Sequence, residues 1–479
     1  MMNKMLLGGL VLLVPALGMA IPGERPNIIL IMADDMGWGD VGFNGNKIIR
    51  TPSLDSLASQ GLVMERFYSA APLSSPTRAS VLTGRHPFRT GVFSANVGIL
   101  RKKETTLAEV LKEHGYRTGL FGKWHLGTLT YMETDANRGR VENKHLYNPP
   151  VWHGFDESFV TESKVPTYDP MLMPLVNDGC FWDYIHEGDS AVAYGTYYWD
   201  KKGVKVLENV SGDDSRLILD RAFPFMDQSV KDKTPFFSVI WFHAPHLPCV
   251  AGPEHVALYE NMGLQDRNYY GCITALDEQI GRLVSYLKAK GIYENSIICF
   301  CSDNGPELET PGSPGHFRGK KRSLYEGGIR VPSLMSWPAK ISRGDKLEQP
   351  CSTMDYFPTL LDIIGVQQDT AWELDGESLW PLISKQATQR IKPMVFCSGN
   401  QGAVLDGDYK LYYKKGKYEL YDISKDPEEK NDIASLFPEK CEQLKVILEH
   451  KVEDYKRSFE DKQPEEGLDW QDWWNIWEQ

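Results

Sequence analysis

The sequence has 479 residues, of which 42% are hydrophobic and 24% charged. This is an ordinary globular composition, which excludes a largely disordered chain, and the length allows one large domain and a smaller one. The net charge of −13 excludes a general nucleic-acid binder, which would carry a basic face, but it allows an anionic substrate in a local cationic pocket.

The first 20 residues are predicted to be a secretory signal peptide. Lys4 supplies the positive start, an apolar run covers residues 5–17, and Gly18 and Ala20 are the small residues before a cleavage site. This run is too short for a comfortable membrane span, and no other stretch approaches the ~20 apolar residues that a span needs. We therefore expect an exported protein without a membrane span, located in the periplasm, at the cell surface or secreted.

Four apolar segments that end abruptly in polar residues are predicted to be strands buried on both faces of a sheet. They lie at residues 27–33, 117–122, 236–242 and 296–301. Helical patterns lie between them, at residues 51–60, 106–114 and 267–290. Alternation of strand and helix predicts an α/β fold with helices on both faces of the sheet. Ligands of such sheets bind outside the carboxyl ends of the strands, which is where the polar residues lie.

Two of these strand ends predict a metal site. Asp34-Asp35 and Asp303-Asn304 supply three carboxylates and an amide oxygen, without a thiol or an imidazole between them. Hard oxygen ligands of this kind suit calcium or magnesium better than zinc or copper. Without a cation, so many buried oxygens of like charge would be costly to desolvate.

A helix is predicted to start at Ser74, in the segment SSPTRASVLTGR. Pro76 then lies in the first turn, where its missing N–H costs nothing. Ser74 would lie near the positive end of the helix, which is a natural anion site. The short pattern alone is equally typical of a structural helix cap.

The character of the chain changes after about residue 380. Short strands are predicted at residues 394–398, 409–413 and 418–421, forming a small antiparallel sheet, followed by a helix at 434–459. We therefore divide the chain into a signal peptide (1–20), a catalytic domain (21–380) and a C-terminal subdomain (381–479). In the tail, four tryptophans at helical spacing predict a helix face that packs on the protein or, alternatively, offers a platform for stacking sugars; they are Trp470, Trp473, Trp474 and Trp477.

Taken together, these segments resemble the type I, formylglycine-dependent sulfatases of the alkaline phosphatase superfamily. The family signature reads Cys or Ser, any residue, Pro, Ser or Thr, Arg, three free positions, then Leu-Thr-Gly-Arg. The resemblance covers almost the whole mature chain in the family's order, with NIILIMADDMGWGD, GKWHLG, HAPHLP, CSDNGPE, GKKRSLYEGGIRVP, DYFPTLLDIIG and ELYDISKDPEEKND. It implies a large mixed sheet sandwiched by helices, as in alkaline phosphatase, and a smaller C-terminal α+β subdomain with a short antiparallel sheet.

The resemblance also implies the cofactors and the site. A Ca²⁺ ion would be held by Asp34, Asp35, Asp303, Asn304 and the side chain at Ser74. The nucleophile would be formylglycine (3-oxoalanine) made from Ser74 by an anaerobic-type radical sulfatase-maturating enzyme, because the cysteine-specific system does not act on serine. The sulfate would be surrounded by Arg78, Lys123, His125, His246 and Lys321. Lys321 is preferred to Lys320 because the family's lysine stands five residues before the glutamate that is Glu326 here.

The implied chemistry explains these residue types. A plain serine attacking sulfur would leave a stable sulfate ester, whereas a hydrated aldehyde carries two hydroxyls on one carbon. One hydroxyl attacks sulfur, and the other then loses its proton, to His125, as sulfate is expelled. Arg78 and Lys123 would offset charge on the sulfate oxygens, and His246 and Lys321 are candidates for protonating the leaving oxygen.

The expected substrate is a sulfated carbohydrate, with galactose or N-acetylgalactosamine sulfate of mucin or glycosaminoglycan chains favoured. Sugar contacts are expected from loops 131–147, 163–198 and 312–317, which contain His145, Trp182, Asp183, His186 and His316. One alternative is a phosphate or phosphonate monoester hydrolase on the same fold, which a second cluster of His and Asp metal ligands would support. Another is a non-catalytic protein that binds sulfated glycans and whose Ser74 is never oxidised.

Overall fold

The computed structural model describes residues 25–367, 369, 371–461 and 473–477, so the predicted signal peptide lies outside the described residues. The strands are β1 (Asn27–Ala33), β2 (Leu62–Met64), β3 (Phe67–Tyr68), β4 (Val92–Ser94), β5 (Val97–Gly98), β6 (Arg117–Lys123), β7 (Glu157–Thr161), β8 (Leu172–Pro174), β9 (Ala191–Ala193), β10 (Tyr198–Asp200), β11 (Lys205–Val206), β12 (Phe236–Trp241), β13 (Ser296–Ser302), β14 (Ser333–Ser336), β15 (Asp345–Leu347), β16 (Cys351–Ser352), β17 (Met394–Ser398), β18 (Gln401–Asp406), β19 (Tyr409–Lys414) and β20 (Lys417–Asp422). The helices are α1 (Pro52–Gln60), α2 (Ser74–Thr83), α3 (Pro87–Thr90), α4 (Leu107–Glu113), α5 (Asp214–Lys231), α6 (Pro253–Val256), α7 (Leu264–Ala289), α8 (Glu326–Ile329), α9 (Tyr356–Ile363), α10 (Trp380–Ile383) and α11 (Pro438–Asp461).

The large sheet has ten strands in the order β11-β10-β7-β6-β12-β1-β13-β14-β2-β15. Its centre, from β7 to β13, is parallel and contains the four strands that the sequence predicts. Antiparallel pairing begins at β10 on one side and at β14 on the other, which makes the sheet mixed. The predicted fold class, a large mixed sheet with helices and a small antiparallel sheet, is therefore confirmed.

Helices cover both faces of the large sheet because the side chains of its central strands are apolar on both sides. Along β1, Ile28, Leu30 and Met32 join one core cluster, which contains residues of α2, α4 and α9. The alternate residues, Ile29 and Ile31, join the other cluster, which contains residues of α1, α5 and α7. Period-two alternation between two buried faces is what a central strand of an α/β sheet requires.

Strands β17–β20 form a four-stranded antiparallel sheet in chain order, and α11 packs against one face of it. Strand β18, which the sequence did not indicate, completes this sheet. Its other face packs on Tyr68 and on the segment around α8. There the buried Nζ of Lys410 lies 2.9 Å from a carboxylate oxygen of Glu326 and 2.9 Å from one of Glu429. Aromatic packing and buried ion pairs thus join the small sheet to β3 and to the segment around α8.

The C-terminal tryptophans differ from the prediction. Residues 473–477 form turns, so the predicted helix is wrong for these residues, and Trp470 lies outside the described residues. The Trp474 ring packs edge-on against Phe88 and Phe93, with centroid distances of 5.6 and 4.9 Å. Packing on the protein, the favoured alternative, is therefore confirmed for Trp474.

Eight cysteines are present as free thiols, and six of them are buried, so their number reflects core packing. No helix in the described part of the chain combines the length and the apolar character that crossing a membrane requires.

Candidate active site

The register of the parallel strands brings the predicted polar residues to one edge of the sheet. Ala33 pairs with Ser302, and Gly122 pairs with Trp241, so the residues that follow these four positions lie side by side at the ends of their strands. Gly122 has φ of +107°, and a Cβ there would lie 1.9 Å from the Trp241 carbonyl oxygen. Glycine is therefore required at this position to let Lys123 turn into the site.

Four of the five predicted metal ligands, Asp34, Asp35, Asp303 and Asn304, form one buried cluster, and each is at most 1% exposed. The backbone N–H of Asp35 donates to Oδ1 of Asp303 at 3.0 Å, and Nδ2 of Asn304 donates to Oδ1 of Asp35 at 2.7 Å. Oδ1 of Asn304 is buried and, within the described residues, has no hydrogen-bond partner. Three carboxylates and an unsatisfied amide oxygen fit a hard divalent cation.

His246 lies beside this cluster. Potential ligand atoms of Asp34, Asp35 and His246 lie within 4.8 Å of one another. No second group of three such ligands occurs in the described ranges. The additional His and Asp cluster that would support the phosphatase alternative is therefore absent from the part of the chain that the structure describes.

Each carboxylate of the cluster is paired with one of the predicted sulfate-binding cations. Nζ of Lys123 donates to Oδ2 of Asp34 at 2.5 Å, and Nζ of Lys321 donates to Oδ2 of Asp35 at 2.6 Å. The third pair joins Nη2 of Arg78 to Oδ2 of Asp303 at 2.9 Å. The fully buried guanidinium of Arg78 also lies over the ring of Trp241, 4.9 Å from its centroid, which limits its movement.

The two central carboxylates have pKa values shifted in opposite directions. Burial would raise the pKa of Asp34, but Lys123, His246 and Arg78 hold it well below its ordinary value. Burial and the neighbouring Asp34 raise the pKa of Asp303 to about 7. A cation close to Asp303 would favour its ionised form.

Ser74 is the first residue of α2, as predicted, and only 2% of it is exposed. Its Oγ donates a hydrogen bond to Oδ1 of Asp34 at 3.0 Å. Pro76 occupies the first turn, so the N-terminal end of the helix and its positive dipole lie at the carboxylate cluster. The side chain that is predicted to become the nucleophile therefore touches the predicted metal site.

His125 reaches the same cavity from the end of β6, with a left-handed backbone at φ of +59°. Its Nε2 lies 3.0 Å from Oδ1 of Asn96, a residue that the sequence did not indicate. An imidazole that donates through Nε2 leaves Nδ1 as an acceptor, and Nδ1 is buried without a partner within the described residues. Burial and Lys123 lower the pKa of His125 well below its ordinary value, so the ring is neutral and able to accept a proton.

His246 carries its proton on the other ring nitrogen, Nδ1, in contrast to His125. Its Nδ1 lies 2.6 Å from the carbonyl oxygen of Leu247, which can only accept, so Nδ1 carries the proton. Nε2 then presents a lone pair toward Asp35, whose Oδ2 lies 3.5 Å away. Burial lowers the pKa of His246 to about 4, against the opposing effect of Asp35, so the ring is neutral near pH 7.

These side chains surround a cavity of about 550 Å³. Of the predicted site residues, Ser74, Lys123, His125, His246 and Lys321 line it. Its remaining lining includes Asn96, Asn137, Lys164, Glu307, Arg322, Asn400 and Trp473. None of the five expected sugar contacts lines it: His145, Trp182, Asp183, His186 and His316 lie elsewhere in the structure, and Asp183, for example, pairs with Arg267 at 2.6 Å.

Known proteins resemble this chain over most of its length. A family model described as Sulfatase matches residues 26–366, and one described as N-sulphoglucosamine sulphohydrolase, C-terminal, matches residues 312–458. N-acetylgalactosamine-6-sulfatase of Mus musculus is 32% identical over 426 residues, which cover 84% of this chain and 75% of that protein. Steryl-sulfatase of Homo sapiens is 27% identical over 537 residues, covering 89% and 87%. The crystal structure of Ps i-CgsB in complex with k-i-k-neocarrahexaose matches with a TM-score of 0.76 and 28% identity, covering 93% of this chain and 95% of that one.

Proposed function

The chain belongs to the sulfatase family, and from this we propose that it hydrolyses sulfate esters of carbohydrates at the cavity around Ser74. One observation carries the proposal: the Ser74 hydroxyl donates a hydrogen bond to a buried carboxylate, in a cavity that is also lined by three lysines and two histidines. Such a cavity can hold a dianion against cations while an adjacent oxygen attacks it.

Binding of the sulfate is assigned to Arg78, Lys123 and Lys321. These cations are at most 7% exposed, so their charges act in a region of low dielectric constant and are little screened by salt. Arg78 is held by Asp303 and by the Trp241 ring, which orients its guanidinium before the substrate arrives. Preorganised charge of this kind stabilises the developing charge on the sulfate oxygens without reorganisation.

The nucleophile is assigned to formylglycine at position 74, which the family uses. Its hydrate offers two hydroxyls on one carbon, so that sulfate can be released without hydrolysis of a stable serine ester. Asp34, which accepts from the side chain at this position, orients the oxygen. His125 presents a neutral, unpartnered Nδ1 in the same cavity and is the base for the step that releases sulfate.

Protonation of the leaving oxygen is assigned to Lys321 in preference to His246. Burial would lower the pKa of Lys321, but Asp35 and Asp34 raise it above its ordinary value, so Lys321 is protonated near pH 7. His246 is neutral and keeps its single proton on Nδ1, which faces the Leu247 carbonyl. Its Nε2 lone pair suits a neighbouring cation or a hydrogen bond from the substrate.

We assign the metal as Ca²⁺, held by oxygens of Asp34, Asp35, Asp303, Asn304 and the side chain at position 74. When bound, it supplies positive charge that favours an ionised nucleophile. The oxygen-rich donor set supports calcium over a transition metal. Restoration of a chelated preparation by zinc, but not by calcium, would contradict this assignment.

The favoured substrate is a galacto-configured sugar sulfate. Support comes from the 32% identity to N-acetylgalactosamine-6-sulfatase and from a cavity wide enough for a monosaccharide. A screen of the matured enzyme against mono-sulfated monosaccharides, with matched phosphate esters as the competing class, tests this directly. Turnover of the phosphate esters alone would favour the phosphatase alternative.

We further propose that the chain is exported and that an anaerobic-type radical enzyme matures Ser74. The apolar run at residues 5–17 supports export, and serine at position 74 supports the radical enzyme because a cysteine-specific system cannot act on it. Secretion of the full-length chain from a bacterial host, with loss of residues 1–20, would support export. Retention of an uncut chain in the cytoplasm would contradict it.

The decisive experiment is on Ser74. Co-expression with a serine-type maturase should yield a Ser74 peptide lighter by two hydrogens and reactive toward hydrazides, and the protein should gain activity. Ser74→Cys should become active in hosts that modify only cysteine, whereas Ser75→Ala, at the adjacent buried serine, should still be modified. Full activity of a preparation whose Ser74 peptide has lost no mass would refute the proposed nucleophile.

A further inference from the structure

The far C-terminal segment contributes to the catalytic cavity. Trp473 lines the same cavity as Ser74 and His125, although it lies about 350 to 400 positions later in the chain. The turn between β17 and β18, which includes Asn400, lines it as well. One wall of the cavity is therefore built by the C-terminal part of the chain, whereas the predicted catalytic residues come from the preceding part.

Trp473 is held in this wall by its neighbours. Trp474 is 5% exposed and Ile476 is fully buried, both in a core cluster with Phe88, Phe93 and Phe459. Trp477 packs edge-on against Tyr413, with ring centroids 4.6 Å apart. These contacts anchor the segment that follows Trp473.

The ring of Trp473 is itself oriented. It lies nearly parallel to Phe93, with an angle of 12° between the planes and 6.2 Å between the centroids. Trp473 is only half-buried, in contrast to Trp474, so part of it remains available to a molecule in the cavity. Its indole adds a large flat apolar surface to a cavity whose lining is mostly polar or charged, with Leu73, Ala95 and Leu247 as smaller apolar members.

We propose that Trp473 is a specificity-determining residue, against which the pyranose ring of the substrate packs while its sulfate lies among Arg78, Lys123 and Lys321. This rests on the proposed carbohydrate sulfatase function. In a galacto-configured pyranose the axial hydroxyl at C4 leaves the C–H bonds at C3, C4 and C5 on one face. That face is apolar and flat, so it matches an indole ring better than the corresponding face of a gluco-configured sugar.

The test is binding of sulfated sugars to unmatured protein, in which Ser74 is a serine and no turnover occurs. The probes are N-acetylgalactosamine 6-sulfate, N-acetylglucosamine 6-sulfate and inorganic sulfate, each titrated calorimetrically in the presence of calcium. Trp473→Ala should weaken binding of the galacto sugar by about 10-fold or more, as expected for truncation of a buried aromatic anchor. The gluco sugar should lose less affinity, and inorganic sulfate should bind as it does to the wild type.

Matched variants separate a substrate contact from a structural one. Trp477→Ala, in the same segment but outside the cavity lining, should leave all three affinities unchanged. Trp473→Phe should recover much of the galacto affinity, and Trp473→Leu, which keeps apolar bulk without a ring face, should not. Unchanged sugar affinity in Trp473→Ala would overturn the proposal, as would an equal loss for inorganic sulfate. If wild-type protein bound inorganic sulfate but neither sugar, this would contradict the proposed carbohydrate sulfatase function itself. The proposed role of Trp473 would then be wrong as well.

Discussion

Binding of the metal and binding of sulfate are expected to strengthen each other. In the structure, every cation assigned to sulfate is paired with a carboxylate assigned to the metal, at distances of 2.5–2.9 Å. Three carboxylates and three cations cancel in formal charge. A divalent cation alone, or a sulfate dianion alone, leaves this buried cluster charged, whereas both together keep it neutral.

The size of the coupling follows from the ion pairs that must open. Sulfate bound alone competes with Asp34 for Lys123 and with Asp35 for Lys321. Two unit charges 4 Å apart interact with about 4 kcal/mol at an effective dielectric constant of about 20. A metal on the carboxylates removes most of this competition, and desolvation of the released lysines cancels part of the gain. We therefore expect a coupling free energy of about 2.7 kcal/mol, which is about 100-fold in affinity.

The assay is a pair of calorimetric titrations on chelator-treated, unmatured protein. Inorganic sulfate is titrated with and without saturating calcium, and calcium is titrated with and without saturating sulfate. Linkage requires the two affinities to change by the same factor. Both factors should be near 100, and neither should depend strongly on ionic strength because the pairs are buried.

Two neighbouring lysines provide the control. Lys321→Met removes one of the competing pairs, so it should lower the coupling by about 10-fold, which is about half of the expected free energy. Lys320→Met should preserve the coupling, since Nζ of Lys320 donates to the Thr310 carbonyl oxygen at 3.4 Å and to no carboxylate of the cluster. Equal sulfate affinity with and without calcium would refute the reasoning.

The remaining predictions concern the proton transfers and the stability of the fold. His125→Ala should slow release of enzyme-bound sulfate for all substrates, whereas Lys321→Met should slow poor leaving groups most; a common dependence on leaving-group basicity in steady-state rates would contradict this division. Burial lowers the pKa of His86 to about 3, from the value of 6.5 that it has in the unfolded chain. Between these two pH values the imidazole is protonated in the unfolded chain and neutral in the folded one. The free energy of unfolding should thus fall by about 2 kcal/mol from pH 7 to pH 5, and His86→Asn should remove this loss in denaturant titrations at both pH values; the same loss in the variant would disprove the attribution. Lys410→Met leaves the buried Glu429 without its cation and Glu326 with Arg330, at 3.3 Å, as its remaining one, and should cost about 3–5 kcal/mol. The cost is measured against Lys414→Met, an exposed position on the same strand, for which no comparable loss is expected.

The centre of the site could be predicted because it depends on a simple rule. Each apolar strand ended in a polar cluster, and parallel strands in register end at the same edge. Asp34, Asp303 and Lys123 therefore meet although more than 80 residues separate any two of them. Motif positions added Ser74, whose placement at a helix start also followed from the proline two residues later.

The periphery of the cavity could not be predicted, for reasons that differ from residue to residue. Asn96 lies in the tight turn between β4 and β5, strands too short to leave a periodic pattern. Loop 131–147 does contribute to the cavity, but through Asn137 and not through His145, because nothing in a loop sequence shows which side chain turns inward. The tryptophan spacing suggested a helix, yet contacts of Trp474 with Phe88 and Phe93 outweigh local helical preference.

The burial of Ser74 limits when the maturation proposed for it could take place. Only 2% of the residue is exposed, and the cavity that it lines receives a wall from Trp473, which is synthesised last of the lining residues. A maturase that needs the backbone around Ser74 in its own active site can reach it only in a chain that has not yet folded. Rapid folding would therefore compete with activation, and slower translation or a holding chaperone should raise the active fraction without any change in the enzyme itself.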